Sequence, residues 1–305
     1  MTDDTSTPAP RCGVVALIGA PNAGKSTLLN RLVGSKVAIV THKVQTTRSR
    51  LRGIAVEGPS QLIFVDTPGI FRPKRKLDEA MVEAAWSGAA DADVIVLIVD
   101  AHKGLAEEGE EIIGPLADTG LKATLALNKV DTIERSALLE IVARCNGLFA
   151  FDETFMISAL NGDGVADLRA YLSERMPEGP WLYPEDQLAD VPLRQMAAEI
   201  TREKVFLRLH QELPYASTVE TESWKELRDG SVRVEQVLYV ERDSQKKIAL
   251  GKNGQTIKAI GSAAREELQE MLGHNVHLFL FVKVREKWGQ DPERFENMGL
   301  NFPKS

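Results

Sequence analysis

The chain holds 305 residues, 43% of them hydrophobic, which suits two ordinary domains rather than one small one. Apolar runs stay below the ~18 residues of a membrane helix, and two cysteines without metal spacing, Cys12 and Cys145, exclude a disulfide framework and a thiolate metal cluster; both read as free buried thiols of a reducing compartment. The net charge of −7 excludes a uniformly basic nucleic-acid binder, but it averages two unlike parts: residues 1–190 carry 19 Lys and Arg against 27 Asp and Glu, and residues 191–305 carry 18 against 17.

The acidic, polar start MTDDTSTPAP predicts a disordered tail over residues 1–11 and no secretory or transit signal. Five short, nearly continuous apolar runs follow, at residues 14–20, 61–67, 94–100, 123–129 and 153–159. Such runs suit parallel strands buried on both faces. Helical patterns alternate with them near 24–33, 76–91, 107–119, 135–148 and 164–175. The alternation predicts a doubly wound α/β domain with a mostly parallel sheet over residues 12–178, with ligands at the carboxyl ends of its strands. Gly19, Asp66, Asn128 and Ser158 all close or follow an apolar run.

Four prolines between 176 and 192 break this order and predict a linker over 179–192. Residues 193–285 then read helix, strand, strand, helix, glycine loop, helix, strand, an α+β domain, and 286–305 read as a polar tail. Inside the second domain, residues 244–265 hold Lys246, Lys247, Lys252, Lys258 and Arg265 and no acid. The chain has no internal repeat, because its two glycine loops sit in different element orders.

The first glycine loop, Gly19-Ala20-Pro21-Asn22-Ala23-Gly24-Lys25-Ser26 with Thr27 behind it, fits G-x-x-x-x-G-K-[ST] between a strand and a helix. Glycines there let backbone N–H groups approach phosphate oxygens at a helix N-terminus. Lys25 would reach the β- and γ-phosphates and Ser26 would ligate Mg2+. Asp66-Thr67-Pro68-Gly69 closes the next run, where an Asp can hold Mg2+ through water and a glycine N–H can sense a γ-phosphate. Asn128-Lys129-Val130-Asp131 points to guanine. A carboxylate accepts two hydrogen bonds in one plane, and guanine offers N1–H and N2–H2 side by side. Asn128 and Lys129 would brace that loop, and Ser158-Ala159-Leu160 would complete the base pocket with a backbone N–H. His102, Trp181 and Trp224 read as structural, and residues 161–164 as a turn rather than a metal loop.

In this order the four motifs resemble the translation-factor-related class of small GTPases, over residues 12–175. The resemblance implies a P-loop GTPase domain that turns GTP into GDP and phosphate. It also implies a switch threonine just before an arginine. VQTTRSR offers Thr46 and Thr47, and Thr47, which precedes Arg48, is preferred. Where Ras-like enzymes carry a water-orienting glutamine after D-x-x-G, this chain has Ile70, so intrinsic turnover should be slow. In similar GTPases with that hydrophobic residue, an asparagine at the position of Asn22 helps bind K+. The catalytic candidates are therefore Lys25, Thr47 and Asn22, and the metal candidates Ser26, Thr47 and Asp66.

The second loop, Gly251-Lys252-Asn253-Gly254, lacks the spacing and hydroxyl of a nucleotide loop and lies between two helices. In that order it resembles a type II KH domain, whose G-x-x-G loop clamps the backbone of about four nucleotides. Lys246, Lys247, Lys252 and Lys258 would supply charge, and Ile248, Ile257 and Ile260 would divide between core and groove. The two halves together resemble a family of bacterial GTPases that act in assembly of the small ribosomal subunit. That resemblance implies a cytoplasmic monomer whose partners are GTP and GDP, the 3′ region of 16S ribosomal RNA and the 30S subunit. It also leaves room for peripheral association with the inner face of the cell membrane. An alternative is a signalling GTPase with a protein or membrane target. A nucleotide fold without activity conflicts with intact Lys25, Ser26 and Asp66.

Overall fold

The computed structural model describes residues 8–105 and 107–303, which form two units. Residues 1–7 of the expected N-terminal tail lie outside the described residues, and Arg11 already starts the first strand.

In the first unit the strands are β1 (Arg11–Gly19), β2 (Leu51–Glu57), β3 (Ser60–Asp66), β4 (Val94–Asp100), β5 (Ala123–Asn128) and β6 (Thr154–Ile157), in the sheet order β2-β3-β1-β4-β5-β6. All neighbours are parallel except β2 and β3. The helices are α1 (Lys25–Val33), α2 (Lys76–Ala90), α3 (Glu107–Thr119), α4 (Arg135–Leu148) and α5 (Val165–Arg175). Strand periodicity divides the core. Val15 and Leu17 of β1 pack with Leu28, Leu32, Leu168 and Leu172 of α1 and α5. Ala16 and Ile18 pack on the other face with Ala85, Ile112 and Leu138 of α2, α3 and α4. This is the doubly wound sheet, and its topological switch lies beside β1, whose carboxyl end is the first glycine loop.

The sequence reading missed β2. It is an edge strand carrying an exposed Arg52 and a Gly53, and its strand character comes from antiparallel pairing with β3. The proline-rich stretch is not a free spacer up to 192. Residues through Asp190 group with the first unit. Trp181 Nε1 donates to the Pro59 carbonyl at 3.0 Å, Gln61 Oε1 accepts from the Leu182 and Tyr183 N–H groups, and Ala189 bridges to Gly53.

The second unit contains residues 39–46 and 191–298. Its elements are α6 (Leu193–Arg208), β7 (Ser217–Glu226), β8 (Val232–Val240), α7 (Asp243–Leu250), α8 (Gln255–Leu272), β9 (Val276–Val284) and α9 (Pro292–Asn297). β7 pairs antiparallel with β8, and β8 pairs parallel with β9 through the α7–α8 crossover. Ala198, Val205, Leu238, Ile260 and Val282 form part of its core. Residues 286–298 are not a tail but part of this unit: Trp288 is 2% exposed and donates Nε1 to the Ala216 carbonyl at 3.0 Å. Among the described residues no helix is long and apolar enough to cross a membrane.

Candidate nucleotide site and nucleic-acid interface

The loop after β1 is tied to the far side of the sheet by one amide. Asn128 is buried at the end of β5; its Nδ2 donates to the Ala23 carbonyl at 2.8 Å and its Oδ1 accepts from the Ala159 N–H at 2.9 Å. Gly24 has φ +100°, and a Cβ there would strike the Asn128 side-chain nitrogen, so only glycine lets the loop close on β5. Lys129 extends the join. Its Nζ donates to the Asn22 carbonyl at 2.8 Å and pairs with Asp100 Oδ2 at 2.6 Å. Three loops, at the ends of β1, β5 and β6, are thereby fixed to one another.

On the other side of β1, Thr67 donates to the Leu17 carbonyl at 2.8 Å, and Ile70 N–H donates to the Gly19 carbonyl at 3.1 Å. The Ile70 side chain is buried with Ala16, Ile18 and Ala85, so it offers nothing polar to a water molecule. Gly69 lies against Pro21, where a Cβ would come within 2.9 Å of Pro21 Cγ.

A polar cluster forms where α1, β3 and the 37–47 loop meet. Ser26 Oγ donates to Asp66 Oδ2 at 2.6 Å, and Thr47 Oγ1 donates to the same oxygen at 3.1 Å. The two hydroxyl oxygens stand 2.9 Å apart. Thr46 is elsewhere, donating to the Lys43 carbonyl at 2.8 Å. Asp66 is fully buried, and its Oδ1 has no hydrogen-bond partner among the described residues. Burial pushes the Asp66 carboxyl up, against the pull of Lys25, Ser26 and Thr47. Burial pushes the Lys25 ammonium down to about 8, with Asp66 opposing. Lys25 Nζ donates to the Gly19 and Ala20 carbonyls at 3.0 Å each. A buried cation donor beside a buried carboxylate with one unsatisfied oxygen suits an anion at the first and a hard cation at the second. Three oxygen-bearing side chains around one point are the donor set that Mg2+ takes.

Asp131 is exposed in a single 3-10 turn, Val130–Thr132. Ser158 is buried, its Oγ accepting from the Asn161 N–H at 3.2 Å, while Leu160 is 71% exposed. The Ala159 N–H is taken by Asn128. Asn30, Arg31 and Asp100 were not singled out from the sequence. Asn30 Oδ1 accepts from the Val37 and Ala38 N–H groups at 2.9 and 2.8 Å, fixing the start of the loop that leads to Thr47. Arg31 Nε donates to the Ala159 carbonyl at 3.3 Å. Asp100 ends its strand as Asp66 does, a signal that was readable; nothing in the sequence marks Asn30.

In the second unit, α7 stops at Gly251, which has φ +71°, and a Cβ there would strike the Thr256 hydroxyl. Lys252 and Asn253 are exposed, with Asn253 at φ +51°. Lys247 and Lys258 are exposed and Lys246 half-buried, and no acid on 244–265 offsets them. Of the three isoleucines, Ile260 is core, Ile257 is half-buried and Ile248 is 60% exposed. Gly261 of α8 approaches Leu280 of β9, 3.9 Å from where its Cβ would stand. Cys145 is buried, its thiol pushed up to about 11, and Cys12 is only half-buried.

Residues 14–129 match the family model described as a 50S ribosome-binding GTPase, and residues 212–289 match the KH domain. The fold and these two matches define a GTPase that carries a KH domain. The chain is 63% identical over 300 residues to GTPase Era of Brucella suis, covering 98% of this chain and 96% of that protein. It is 64% identical over 302 residues to GTPase Era of Agrobacterium fabrum, covering 99% and 95%. Aquifex aeolicus Era, in a crystal structure of a variant bound to GDP and aluminium fluoride, matches with TM-score 0.90 at 37% identity over 95% of this chain and 99% of that one. The same values hold for a crystal structure of Era with MgGDPNP and nucleotides 1506–1542 of 16S ribosomal RNA. The chain belongs to the GTPase Era family, whose activity is hydrolysis of GTP.

Asn128→Ala removes two neutral hydrogen bonds that join three loops, about 1–3 kcal/mol in all. The expected result is a loss of about tenfold or more in GDP affinity with an unchanged melting temperature of the second unit, read by fluorescent-nucleotide titration beside calorimetry.

Proposed function

We propose that this chain binds GTP and GDP at the loops of the first unit and clamps single-stranded 16S ribosomal RNA, near its 3′ end, on the 251–254 loop of the second. We further propose that it acts in assembly of the 30S subunit in the cytoplasm. The observation that carries the reading is that a relative aligned over 95% of this chain has been solved with both ligands, MgGDPNP and the 16S fragment. The local chemistry supports it: the Asp66 cluster suits Mg2+, and the exposed lysines around 251–254 suit a phosphate backbone.

In this reading the backbone N–H groups of residues 20–27 and the Lys25 ammonium hold the phosphates. Ser26, Thr47 and Asp66 hold Mg2+, which when bound neutralises charge on the phosphate oxygens. Gly69 N–H faces the γ-phosphate and Thr47 orders the loop before it. Asp131 accepts the paired guanine donors, Lys129 covers the base, and Leu160 N–H meets the guanine oxygen. Ile70 leaves the attacking water without a side-chain partner at that position, which keeps intrinsic turnover slow. We assign Asn22 to a K+ site; K+ supplies positive charge near the phosphates when bound.

Three outcomes follow. Asp131→Asn should lose GTP affinity and gain affinity for xanthosine triphosphate, because the base then presents an acceptor where guanine has N2–H2; competition between the two nucleotides reads this. Turnover should be faster in K+ than in Na+ at equal ionic strength, and Asn22→Ala should erase the difference. The third outcome tests the RNA reading. Changing Lys252 and Asn253 together to Asp should leave GTP affinity near normal. Affinity for a 16S 3′-end oligonucleotide should fall strongly, and its salt slope should drop by roughly 0.7, one phosphate contact on a single strand. Unchanged RNA binding in a folded double variant would reduce the loop to an interhelix turn.

A further inference from the structure

Asp100 closes β4 in direct register with Asn128 of β5. It is 7% exposed and belongs to none of the motifs that mark the nucleotide loops. Both its oxygens are engaged. Oδ2 pairs with the Lys129 ammonium at 2.6 Å, and Oδ1 accepts from the His102 N–H at 3.0 Å. The His102 bond orients the carboxylate, and a carboxylate taken out of water needs a cation beside it. With Ala20 and Pro21, Asp100 also lines a small cavity against the first glycine loop.

Lys129 is that cation, and it is held at both ends. Its backbone has φ +67°, uncommon for a residue with a Cβ, and its carbonyl accepts from the Thr132 N–H and hydroxyl at 3.0 and 2.7 Å. Such a conformation persists where the surroundings over-determine it. At the other end Nζ lies between Asp100 and the Asn22 carbonyl, the latter 2.8 Å away. Asn22 is itself at φ +63°. A lysine side chain in solvent samples many rotamers. This one, although 35% exposed, is laid out between two fixed points.

Of the two partners at Nζ, only Asp100 is charged. It attracts the ammonium through charge as well as through the hydrogen bond, so it is the stronger anchor. Its burial keeps salt from screening the pair. Without it the ammonium is free to turn to solvent across its exposed side, and the stem behind it loses its fixed course. Asp131 lies two residues further along the same turn.

We propose that Asp100 is a positioning residue of the base pocket: it holds the Lys129 ammonium against the glycine loop and so keeps the Lys129 stem laid out as a cover for a guanine base before a nucleotide arrives. The inference rests on the reading of residues 128–131 as the guanine pocket and of Lys129 as its cover. All of these residues lie within the first unit. A cover ordered in advance loses no side-chain entropy when the ligand binds, and the gain falls on the rate of release rather than on the rate of encounter. The cover acts on the flat face of the base and leaves the choice among purines to Asp131. The charge of Asp100 alone would work the other way, since an acid close to the loop repels phosphate.

The test uses the full-length protein with Asp100→Asn, Asp100→Ser and Lys129→Met, and each Asp100 variant combined with Lys129→Met. Asparagine keeps the shape of the side chain and an acceptor for the His102 N–H and removes the charge. Serine keeps an acceptor there and withdraws from Lys129, so it carries the test should Asp100→Asn fail to fold. Release and capture of fluorescent GDP are followed by stopped flow, with melting temperatures beside them. The expected result is release about tenfold faster in the Asp100 variants, the scale of one charge-assisted hydrogen bond, and at least as fast in Lys129→Met. Capture should stay within about twofold of wild type. The combined variants should release GDP no more than about twofold faster than Lys129→Met alone, because residues acting through one contact are not additive. A merely structural Asp100 gives factors that multiply toward about a hundredfold, and that result overturns the proposal. Tighter binding in Asp100→Asn, the sign of plain charge repulsion, overturns it too. If Lys129→Met speeds release and the folded Asp100 variants behave as wild type, the positioning role is wrong and the cover stands. If Lys129→Met releases GDP as wild type does, the cover reading fails and takes the proposal with it. If Asp131→Asn keeps its preference for GDP over xanthosine diphosphate, the pocket reading fails with the same consequence.

Discussion

A carboxylate with no water around it is costly, and Asp66 is fully buried with one oxygen unsatisfied. Much of the first unit is arranged about that fact. The carboxyl stands at the end of β3, next to the strand that carries the glycine loop, so the sheet itself brings Ser26 and Lys25 to it. The 37–47 loop then supplies Thr47. Lys25, Ser26 and Thr47 all favour the charged carboxylate, but burial outweighs them.

Much of this is legible in the sequence. Continuous apolar runs with helical patterns between them can hardly form anything but a layered parallel sheet, and that architecture places strand-end residues together whatever their distance in sequence. Asp66 and Asn128 were readable for that reason. Other parts depend on backbone geometry that side-chain patterns do not encode. β2 carries a glycine and an exposed arginine and is a strand because β3 pairs with it. The proline-rich stretch has the composition of a spacer, yet its backbone bonds to β2. Asn30 sits inside a helix with no motif around it, and its work is done on loop backbone.

The two glycine loops are built in opposite ways. Around the first, the asparagine and lysine after β5 lock the backbone from across the sheet, so a small ligand meets a rigid, pre-formed set of donors and discrimination between close analogues is possible. The second is exposed, with its lysines free of acids along 244–265, and suits a polymer whose affinity is set by counterion release and whose register can vary.

The stretch before residue 191 also closes the open side of the sheet. An outer strand with unpaired N–H and C=O groups invites another chain to add itself. Here the Ile54 N–H donates to the Leu188 carbonyl at 2.8 Å, and the Arg52 carbonyl accepts from the Asp190 N–H at 3.1 Å. Trp181 and Tyr183 fasten the same stretch to the Pro59 turn and to Gln61. A nucleotide-binding fragment cut at residue 178, where the helix-strand pattern ends, would bare β2 and become sticky. One cut after 190 would keep its own selvedge and stay dispersed. The prolines that look like a hinge are, over most of their length, the hem of the sheet.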